Sequence, residues 1–281
     1  METIITNSPS LKEEDFVRIS DFIYQHCGIN LHDGKRELVH ARLSKRLRNS
    51  DFNNFSDYID YVLKNPDDRE FSLFIDSLST NLTSFFREEQ HFDLMSEKFL
   101  PALLKIKEKN NDLRLRIWSA GCSSGQEPYS IAIKLNEAVK NNKWDIKILA
   151  TDISKTMLET AQNGLYDEDK IAQIPAELRN KYFSRQTIRG RKYFQAMGEL
   201  KDMIIFKHLN LMENWPVKGP IDFIFCRNVM IYFDKPTQQK LVERFWKLLA
   251  GGGVLFTGHS ESLTGIKHSF KYISPTVYMK A

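Results

Sequence analysis

Residues 115–128 read Leu-Arg-Ile-Trp-Ser-Ala-Gly-Cys-Ser-Ser-Gly-Gln-Glu-Pro, an apolar run that breaks at two glycines and passes into a helical pattern from Tyr129 onward. The order is strand, tight turn, helix. Gly121 and Gly125 let the backbone come close to a ligand at the mouth of a parallel sheet, where ligands of open α/β sheets collect. A glycine pair by itself is often only a turn. What gives this pair weight is Asp152, which closes a second apolar run, Ile146-Lys-Ile-Leu-Ala-Thr-Asp, one helix downstream. An acidic residue in that place can accept both hydroxyls of a ribose.

From Leu113 onward apolar strand patterns alternate with helical ones, which predicts a mostly parallel sheet. After the helix at 126–139 come a strand at 146–151, a helix from Ser154 to Asn163-Gly164, and a short helix over 171–183. Residues 184–203 then interrupt the alternation: Tyr193-Phe194 and Met203-Ile-Ile-Phe206 flank Gly198 like a hairpin, preceded by Arg185, Arg189, Arg191 and Lys192. The strand at 222–228, a helix at 237–249, a strand at 254–257 and a strand pair near 270–279 complete the pattern.

Upstream, Ser10-Leu-Lys-Glu13 has the form of a capping box, followed by Phe16, Ile19 and Ile23 at helical spacing until Cys27-Gly28 ends the run. A second helix, about 35–48, carries Val39, Leu43 and Leu47 on one stripe and Lys35, Arg42, Lys45 and Arg46 on another. With Arg36 and Arg48 it holds six basic residues against one acidic, Glu37. Such a face is either merely solvated or a docking surface for an acidic partner. A weaker helix at 55–64 leads to a fourth, where Phe71, Phe74, Ile75 and Leu78 form an i, i+3, i+4, i+7 stripe. Roughly 80 residues therefore make a small helical bundle. Thr80-Asn-Leu-Thr-Ser-Phe-Phe-Arg-Glu88 follows as a linker, polar and aromatic together, ahead of a long helical pattern that Pro101 breaks. Its two phenylalanines read as core residues, while Asn81, Thr83 and Arg87 offer donors.

Composition narrows the function classes. At 281 residues and 42% apolar content the chain can bury a full core. No apolar run approaches the roughly 18 residues of a membrane span. The first ten residues lack a basic start and a long apolar centre, so no secretory signal is expected and the cytoplasm is the expected location. Cys27, Cys122 and Cys226 are odd in number, far apart and without C-x-x-C spacing, which fits reduced thiols. Cys122 falls near a helix N-terminus, where a thiol pKa can drop, but a small residue packed under the loop is the simpler role. No histidines pair at i, i+4, and no metal is expected. A formal charge of +4 is too small to imply nucleic acid.

Five segments stand in order: Asn-Leu-Thr-Ser-Phe-Phe-Arg-Glu (81–88), Trp-Ser-Ala-Gly-Cys-Ser-Ser-Gly-Gln-Glu-Pro-Tyr-Ser (118–130), Ala-Thr-Asp-Ile-Ser (150–154), Asn-Leu (210–211) and Phe-Cys-Arg-Asn-Val-Met-Ile-Tyr-Phe (225–233). The ordered set resembles the chemotaxis receptor methyltransferases, the CheR family, over nearly the whole chain. The resemblance implies an α/β fold: a Rossmann-like class I methyltransferase sheet with an N-terminal all-α domain (1–80), a linker helix (81–112) and a methyltransferase domain (113–281) carrying a small inserted antiparallel β-subdomain at 184–206. It also implies S-adenosylmethionine as cofactor, S-adenosylhomocysteine as product, and O-methylation of glutamate side chains. The partner it implies is the cytoplasmic helical region of methyl-accepting chemotaxis receptors, with no nucleic acid, no membrane insertion and a monomeric enzyme.

By matching position, the family's cofactor contacts fall on Asn81, Thr83, Arg87, Glu127, Asp152, Asn210, Leu211, Arg227 and Asn228. Asp152 suits the ribose, Glu127 the cationic amino group, Leu211 the adenine, and either Arg87 or Arg227 the methionine carboxylate, since a planar fork binds such groups in a bidentate way. Tyr232 is placed beside the transferred methyl as the catalytic residue. Receptor methylation regions are rich in glutamate, so the family supplies an acidic partner for Lys35, Arg42, Lys45 and Arg46. Two departures stand out. An arginine that some members place after the Phe-Phe-Arg-Glu segment has no clear counterpart among Leu100–Lys109, and Gly190 and Gly198 alone do not make the glycine-rich peptide-binding loop of some β-subdomains.

The chemistry asks little of the protein in proton transfer. A glutamate with a reference pKa of about 4.3 is already ionised at neutral pH, so no base is required. Alignment and exclusion of water are the main tasks. Other readings compete. A nicotinamide enzyme shares the strand, turn and acidic residue, but Gly121 and Gly125 do not match G-x-G-x-x-G. A nucleic-acid methyltransferase of the amino-methylating type would carry an Asn/Asp-Pro-Pro-Tyr/Phe segment. A cofactor-binding signalling module that acts through the basic helix without methylating receptors is a further reading, against which every cofactor position above is occupied by a competent residue; a methyltransferase acting on another protein is the remaining alternative.

Overall fold

The computed structural model describes residues 10–66, 68–140 and 143–281, and the chain divides into two compact units. Residues 1–9, on which the reading of the N-terminus as no secretory signal mostly rests, lie outside the described residues. One unit runs up to Thr80 and includes Tyr232–Asp234; the other holds Asn81–Ile231 and Lys235–Ala281. No helix among the described residues is long and apolar enough to cross a membrane.

The helical unit contains α1 (Glu13–Cys27), α2 (Arg36–Leu47), α3 (Phe55–Lys64) and α4 (Arg69–Leu78). The expected stripes are its core: Phe16, Ile19 and Ile23, then Val39, Leu43 and Leu47, then Phe71, Phe74, Ile75 and Leu78 are all buried. α1 stops at Gly28, which takes φ 72° and donates its N–H to Tyr24 O at 2.9 Å, a left-handed end that suits glycine. The capping box does not form. The N-cap is Lys12, with no side-chain cap, and Glu13, Glu14 and Asp15 instead place negative charge in the first turn, at the positive end of the helix dipole. The second helix is entered through a 3₁₀ turn, Asp33–Lys35. Asn54 caps α3 in the ordinary way, accepting from Asp57 N at 2.9 Å. The chain returns to this unit at 232–234, where Phe233 bridges to Ile29, Asn30 N donates to Tyr232 O at 2.8 Å, and Tyr24 donates to Asp234 Oδ2 at 2.7 Å.

The second unit is built on ten strands: β1 (Arg114–Ala120), β2 (Asp145–Asp152), β3 (Leu165–Asp167), β4 (Phe183–Ile188), β5 (Arg191–Ala196), β6 (Ile204–His208), β7 (Ile221–Cys226), β8 (Leu249–Thr257), β9 (Lys271–Ser274) and β10 (Val277–Met279). Seven form one sheet in the order β6-β2-β1-β7-β8-β10-β9, parallel from β6 to β8, with β10 antiparallel to both its neighbours. β7 is buried at all six positions, as a central parallel strand covered on both faces must be. Its Phe225 stacks on Phe256 of β8 with ring centroids 4.4 Å apart. The strand order reverses direction between β1 and β7. That is the switch point at which open α/β sheets form a crevice.

Two expectations need correction here. The hairpin does not turn at Gly198. β4 pairs with β5 through Arg189-Gly190, at φ 48° and 75°, the positive pair that a two-residue hairpin turn with the right-handed strand twist requires. β3 adds on the other side of β5, and Ile204–His208 leaves this small sheet altogether to become the parallel edge strand beside β2. Gly198 begins a short helix, Gly198–Lys201, and the helix read over 171–183 is the shorter Ala176–Tyr182. Secondly, Pro101 does not end its helix. Helical backbone runs from Gln90 to Lys109 with one π-helical turn at Leu94–Phe99 just ahead of the proline. The wider turn accommodates a residue that lacks an N–H and whose ring crowds the carbonyl four positions back. Phe85, Phe86, Phe92 and Met95 of this connector are buried in the core of the α/β unit.

Candidate active site

The carboxyl ends of β1, β2, β6, β7 and β8 deliver the chemistry-bearing residues, because parallel strands all end on one edge. After β1 the loop 121–125 folds back on β2, with Gly121 N and Cys122 N both donating to Thr151 O at 2.8 and 2.9 Å. Gly121 and Gly125 have φ 86° and 95°. Their freedom serves the protein's own packing: a Cβ on Gly121 would collide with the Val229 side chain, and one on Gly125 would stand 2.9 Å from Ala161 Cβ and Tyr166 Oη. Cys122 is buried beneath this loop, and burial, with Asp152 and Glu127 nearby, pushes its thiol well up, so it is no nucleophile.

Asp152 closes β2 and is 9% exposed. Its Oδ2 accepts from Ser123 N at 2.7 Å and its Oδ1 from Ser154 N at 2.9 Å. The carboxylate thus clasps the glycine loop to the helix Lys155–Asn163. Ser123 also donates its hydroxyl to Asn81 O at 2.9 Å, which ties the connector to the same loop. Thr83 sits half-buried on that connector. Beyond β6, Leu209 N donates to Asp152 O at 3.0 Å and leads to buried Asn210 and Leu211. Asn210 Oδ1 accepts from Met212 N at 3.0 Å, and Leu211 O accepts from Trp215 Nε1 and Arg244 Nη1, so this corner is held rigidly.

After β7, Arg227 is buried between two carboxylates. Nη1 lies 3.1 Å from Glu127 Oε2 and Nη2 lies 3.0 Å from Glu88 Oε2, and the guanidinium also donates to Arg87 O. Burial pushes the Glu127 carboxyl up, opposed by Arg227 and by the Ser119 hydroxyl at 2.7 Å. Burial also acts on Glu88, but there the guanidinium outweighs it and the net shift is down. Arg87 differs from Arg227. It is half-buried and donates to Leu82 O at 2.9 Å and to Asn228 Oδ1 at 2.8 Å, both neutral acceptors. Asn228 has φ 60°, and the turn it makes is pinned by Glu261, a buried carboxylate accepting from Asn228 N, Ile231 N and Gly258 N at 2.7, 3.1 and 2.6 Å.

Glu88, Ser123 and Glu261 were not foreseen as site residues. Glu88 closes a segment that stood out for its arginine and asparagine, and nothing local to Glu261 or Ser123 signals their backbone contacts. His91 was also missed. Burial, reinforced by the Arg227 guanidinium, lowers its pKa to about 4.

Five expected residues fall in the helical unit. Tyr232 lies in a short 3₁₀ turn, half-exposed, with Lys35 Nζ 5.8 Å from its ring centroid. The outward-facing basic stripe on α2 is corrected in part. Arg42 turns inward to donate to Leu78 O at 2.6 Å and Thr80 Oγ1 at 2.7 Å, satisfying carbonyls that the end of α4 leaves open. Arg46 forms a fork with Glu70, its Nε 2.7 Å from Oε1 and its Nη2 on Oε2. Lys45 is exposed, and Lys35 is half-buried with Nζ 3.3 Å from Asn30 O.

A parallel sheet reversed at β10, a glycine turn after β1 and a carboxylate after β2 define a class I S-adenosylmethionine-dependent methyltransferase. The side chains at this edge suit that cofactor's chemistry: carboxylates can accept from hydroxyls or an ammonium, and Arg87, whose side-chain partners among the described residues are neutral oxygens, can bind a carboxylate. Comparison with known proteins agrees. The family model described as the CheR methyltransferase SAM binding domain matches residues 81–279, and that of the CheR methyltransferase all-alpha domain matches residues 14–79. A chemotaxis protein methyltransferase of Borreliella burgdorferi is 42% identical over 274 residues, covering 96% of this chain and 95% of that protein. Chemotaxis protein methyltransferase 2 of Pseudomonas aeruginosa is 40% identical, covering 95% and 93%, and the chemotaxis protein methyltransferase of Escherichia coli is 38% identical, covering 98% and 93%. The chain belongs to the CheR methyltransferase family.

Proposed function

We propose that this methyltransferase esterifies glutamate side chains on the cytoplasmic helical region of chemotaxis receptors, acting as a monomer in the cytoplasm. The observation that carries the reading is the placing of Asp152, Glu127 and Arg87 by the carboxyl ends of the neighbouring strands β2, β1 and β7, through their bonds with Ser123 N, Ser119 Oγ and Asn228 Oδ1, charges suited to the ribose, ammonium and carboxylate of S-adenosylmethionine. When bound, that cofactor supplies a methyl group on a sulfonium, which a carboxylate oxygen can attack directly.

The roles of the chain's own residues follow from their chemistry. Asp152 takes the ribose hydroxyls, and its bonds to Ser123 N and Ser154 N fix its orientation before the ligand arrives. Glu127 takes the amino group, Arg87 the methionine carboxylate, and Leu211 a face of the adenine. Asn81, Thr83, Asn210 and Asn228 supply polar contacts around them. Arg227 keeps Glu127 and Glu88 in place rather than meeting the cofactor itself. Tyr232 donates its hydroxyl to the substrate carboxylate and orients it without removing a proton. Attack of an anion on a cation cancels charge, so excluding water from the pair favours reaction.

Transfer of tritiated methyl from S-adenosylmethionine to purified receptor fragments tests the proposal. Label that is released by mild base marks an ester. Label on a different protein, or in a base-stable linkage, would overturn it.

A further inference from the structure

We propose that Glu88, His91 and His259 form a binding site for a divalent transition metal ion of the zinc type. All three belong to the α/β unit. Glu88 and His91 stand at the start of the helical stretch from Gln90, and His259 follows β8. His91 Nδ1 lies 3.5 Å and His259 Nε2 3.9 Å from the same oxygen, Glu88 Oε2, and the three potential ligand atoms lie within 4.8 Å of one another. Zinc bonds to nitrogen and oxygen of about 2.0–2.1 Å place tetrahedral ligand atoms roughly 3.4 Å apart, so a small inward movement closes the set.

The hydrogen bonds around His91 point the same way. Its Nε2 is 2.9 Å from Thr276 Oγ1, and that hydroxyl's single proton is directed to Pro275 O at 2.6 Å. Nε2 must then be the protonated nitrogen, leaving a lone pair on Nδ1. Nδ1 has no hydrogen-bond partner among the described residues, its side chain is 3% exposed, and it faces a carboxylate oxygen. Two lone pairs confront each other in a buried place. A cation resolves the confrontation, and the outward N–H bond from Nε2 to a fixed acceptor is the arrangement metal-bound imidazoles adopt. Two imidazoles and one carboxylate, with a fourth position open to water, suit zinc or cobalt and not the all-oxygen preference of magnesium or calcium. Arg227 Nη2, 3.0 Å from Glu88 Oε2, competes with the ion for that oxygen; Glu127 holds the guanidinium from its other side. Affinity is therefore expected below that of a closed structural zinc site.

The test is titration of the untagged, chelator-treated full chain with Co²⁺, read by visible d–d absorption, followed by displacement with Zn²⁺. One equivalent should give the intense bands of a low-symmetry four-coordinate ion, and His259→Ala, whose parent side chain is 59% exposed and so not needed for folding, should abolish them. Absence of the bands in the parent, or identical bands in His259→Ala, overturns the site. Nitrogen-15 NMR of the metal-free protein gives an independent reading: His91 Nδ1 should be unprotonated, and a proton found there, directed at Glu88, also overturns it.

Discussion

Nη1 of Arg227 stands 3.1 Å from Oε2 of Glu127, in a buried pair that Glu88 extends to a triad. An arginine neutralised twice by its own protein has little left for a ligand carboxylate, whereas Arg87, bonded to a carbonyl and an amide oxygen, keeps its full charge. Arg87→Ala is expected to weaken S-adenosylmethionine binding by about 2 kcal/mol, roughly thirtyfold, the loss of a charge-assisted hydrogen bond, with little change in the unfolding midpoint. Arg227→Met should destabilise the fold itself by about 3–5 kcal/mol, because it leaves two buried carboxylates uncompensated. Titration calorimetry and urea melts on the two variants separate the roles; unchanged affinity in Arg87→Ala would return the methionine carboxylate to Arg227.

Asp152 clasps the glycine loop and is proposed to hold the ribose, and its variants should show both. Asp152→Ala removes the proposed acceptor for ribose and also strands the buried Ser123 and Ser154 amides, a penalty of about 1–3 kcal/mol for each unsatisfied group. Asp152→Asn keeps one carbonyl oxygen for the loop. The expected pattern is cofactor affinity lowered at least tenfold in both variants, with stability lost in both and more in the alanine variant, since asparagine leaves one of the two amides facing a donor. An asparagine variant that binds S-adenosylmethionine like the parent would leave Asp152 as a loop clasp only.

Asp152 also marks how far the sequence could be read. Strands β1, β2 and β7 were legible because central parallel strands are apolar through most of their length, and the place of Asp152 because it closes such a strand one helix after the glycine turn, whereas Glu127 stood out only through the resemblance to the family. The inserted sheet was misread for a physical reason. Its turn is Arg189-Gly190, which lacks the usual Asn-Gly or Asp-Gly signal, and one partner strand, Leu165–Asp167, is only three residues long. Glu88 and Glu261 were illegible because their roles exist only in three dimensions: Glu261 accepts from amides about thirty positions back, and Glu88 meets Arg227 across the sheet edge. The basic stripe of α2 was visible as charge, but the choice of Glu70 and the α4 carbonyls as partners for Arg46 and Arg42 was not.

Because the attacking carboxylate is ionised well above a pKa of about 4.3, the rate should vary little between about pH 6 and 8.5. His91 does not disturb this expectation. Its pKa is lowered to about 4, chiefly by burial, so it stays neutral across the window and would gain a proton only as the pH falls through that value. Tyr232→Phe should lower methyl transfer at all these pH values while leaving S-adenosylmethionine affinity nearly unchanged, as expected for a group acting on the substrate alone. A rate rising steeply with an apparent pKa near 7 would reveal a base, and equal loss of transfer and affinity would move Tyr232 to the cofactor or to packing.

The basic residues of α2 are proposed to meet the acidic receptor helices that serve as substrate. Arg42 and Arg46 are committed to the helical unit, so reversing their charge would break internal contacts and confound any test of docking. Lys45 and Arg48 are exposed, and they are the proper probes. Single exposed ion pairs are worth about 0–1 kcal/mol, but several like charges on one rigid helix can steer encounter by about tenfold or more. Lys45→Glu combined with Arg48→Glu is therefore expected to raise the apparent KM for receptor about tenfold at low ionic strength, leaving cofactor affinity unchanged and lowering the urea midpoint only slightly, as two carboxylates at the carboxyl end of α2 oppose its dipole. The difference should shrink as salt shortens the screening length from about 30 Å at 0.01 M to about 8 Å at physiological strength. Arg46→Glu serves as the contrast: by setting a second carboxylate against Glu70 it should lower the urea midpoint, whatever the receptor does. Should the Lys45/Arg48 double variant methylate receptor like the parent at low salt, the exposed side of α2 is a solvated face and the receptor docks on another surface.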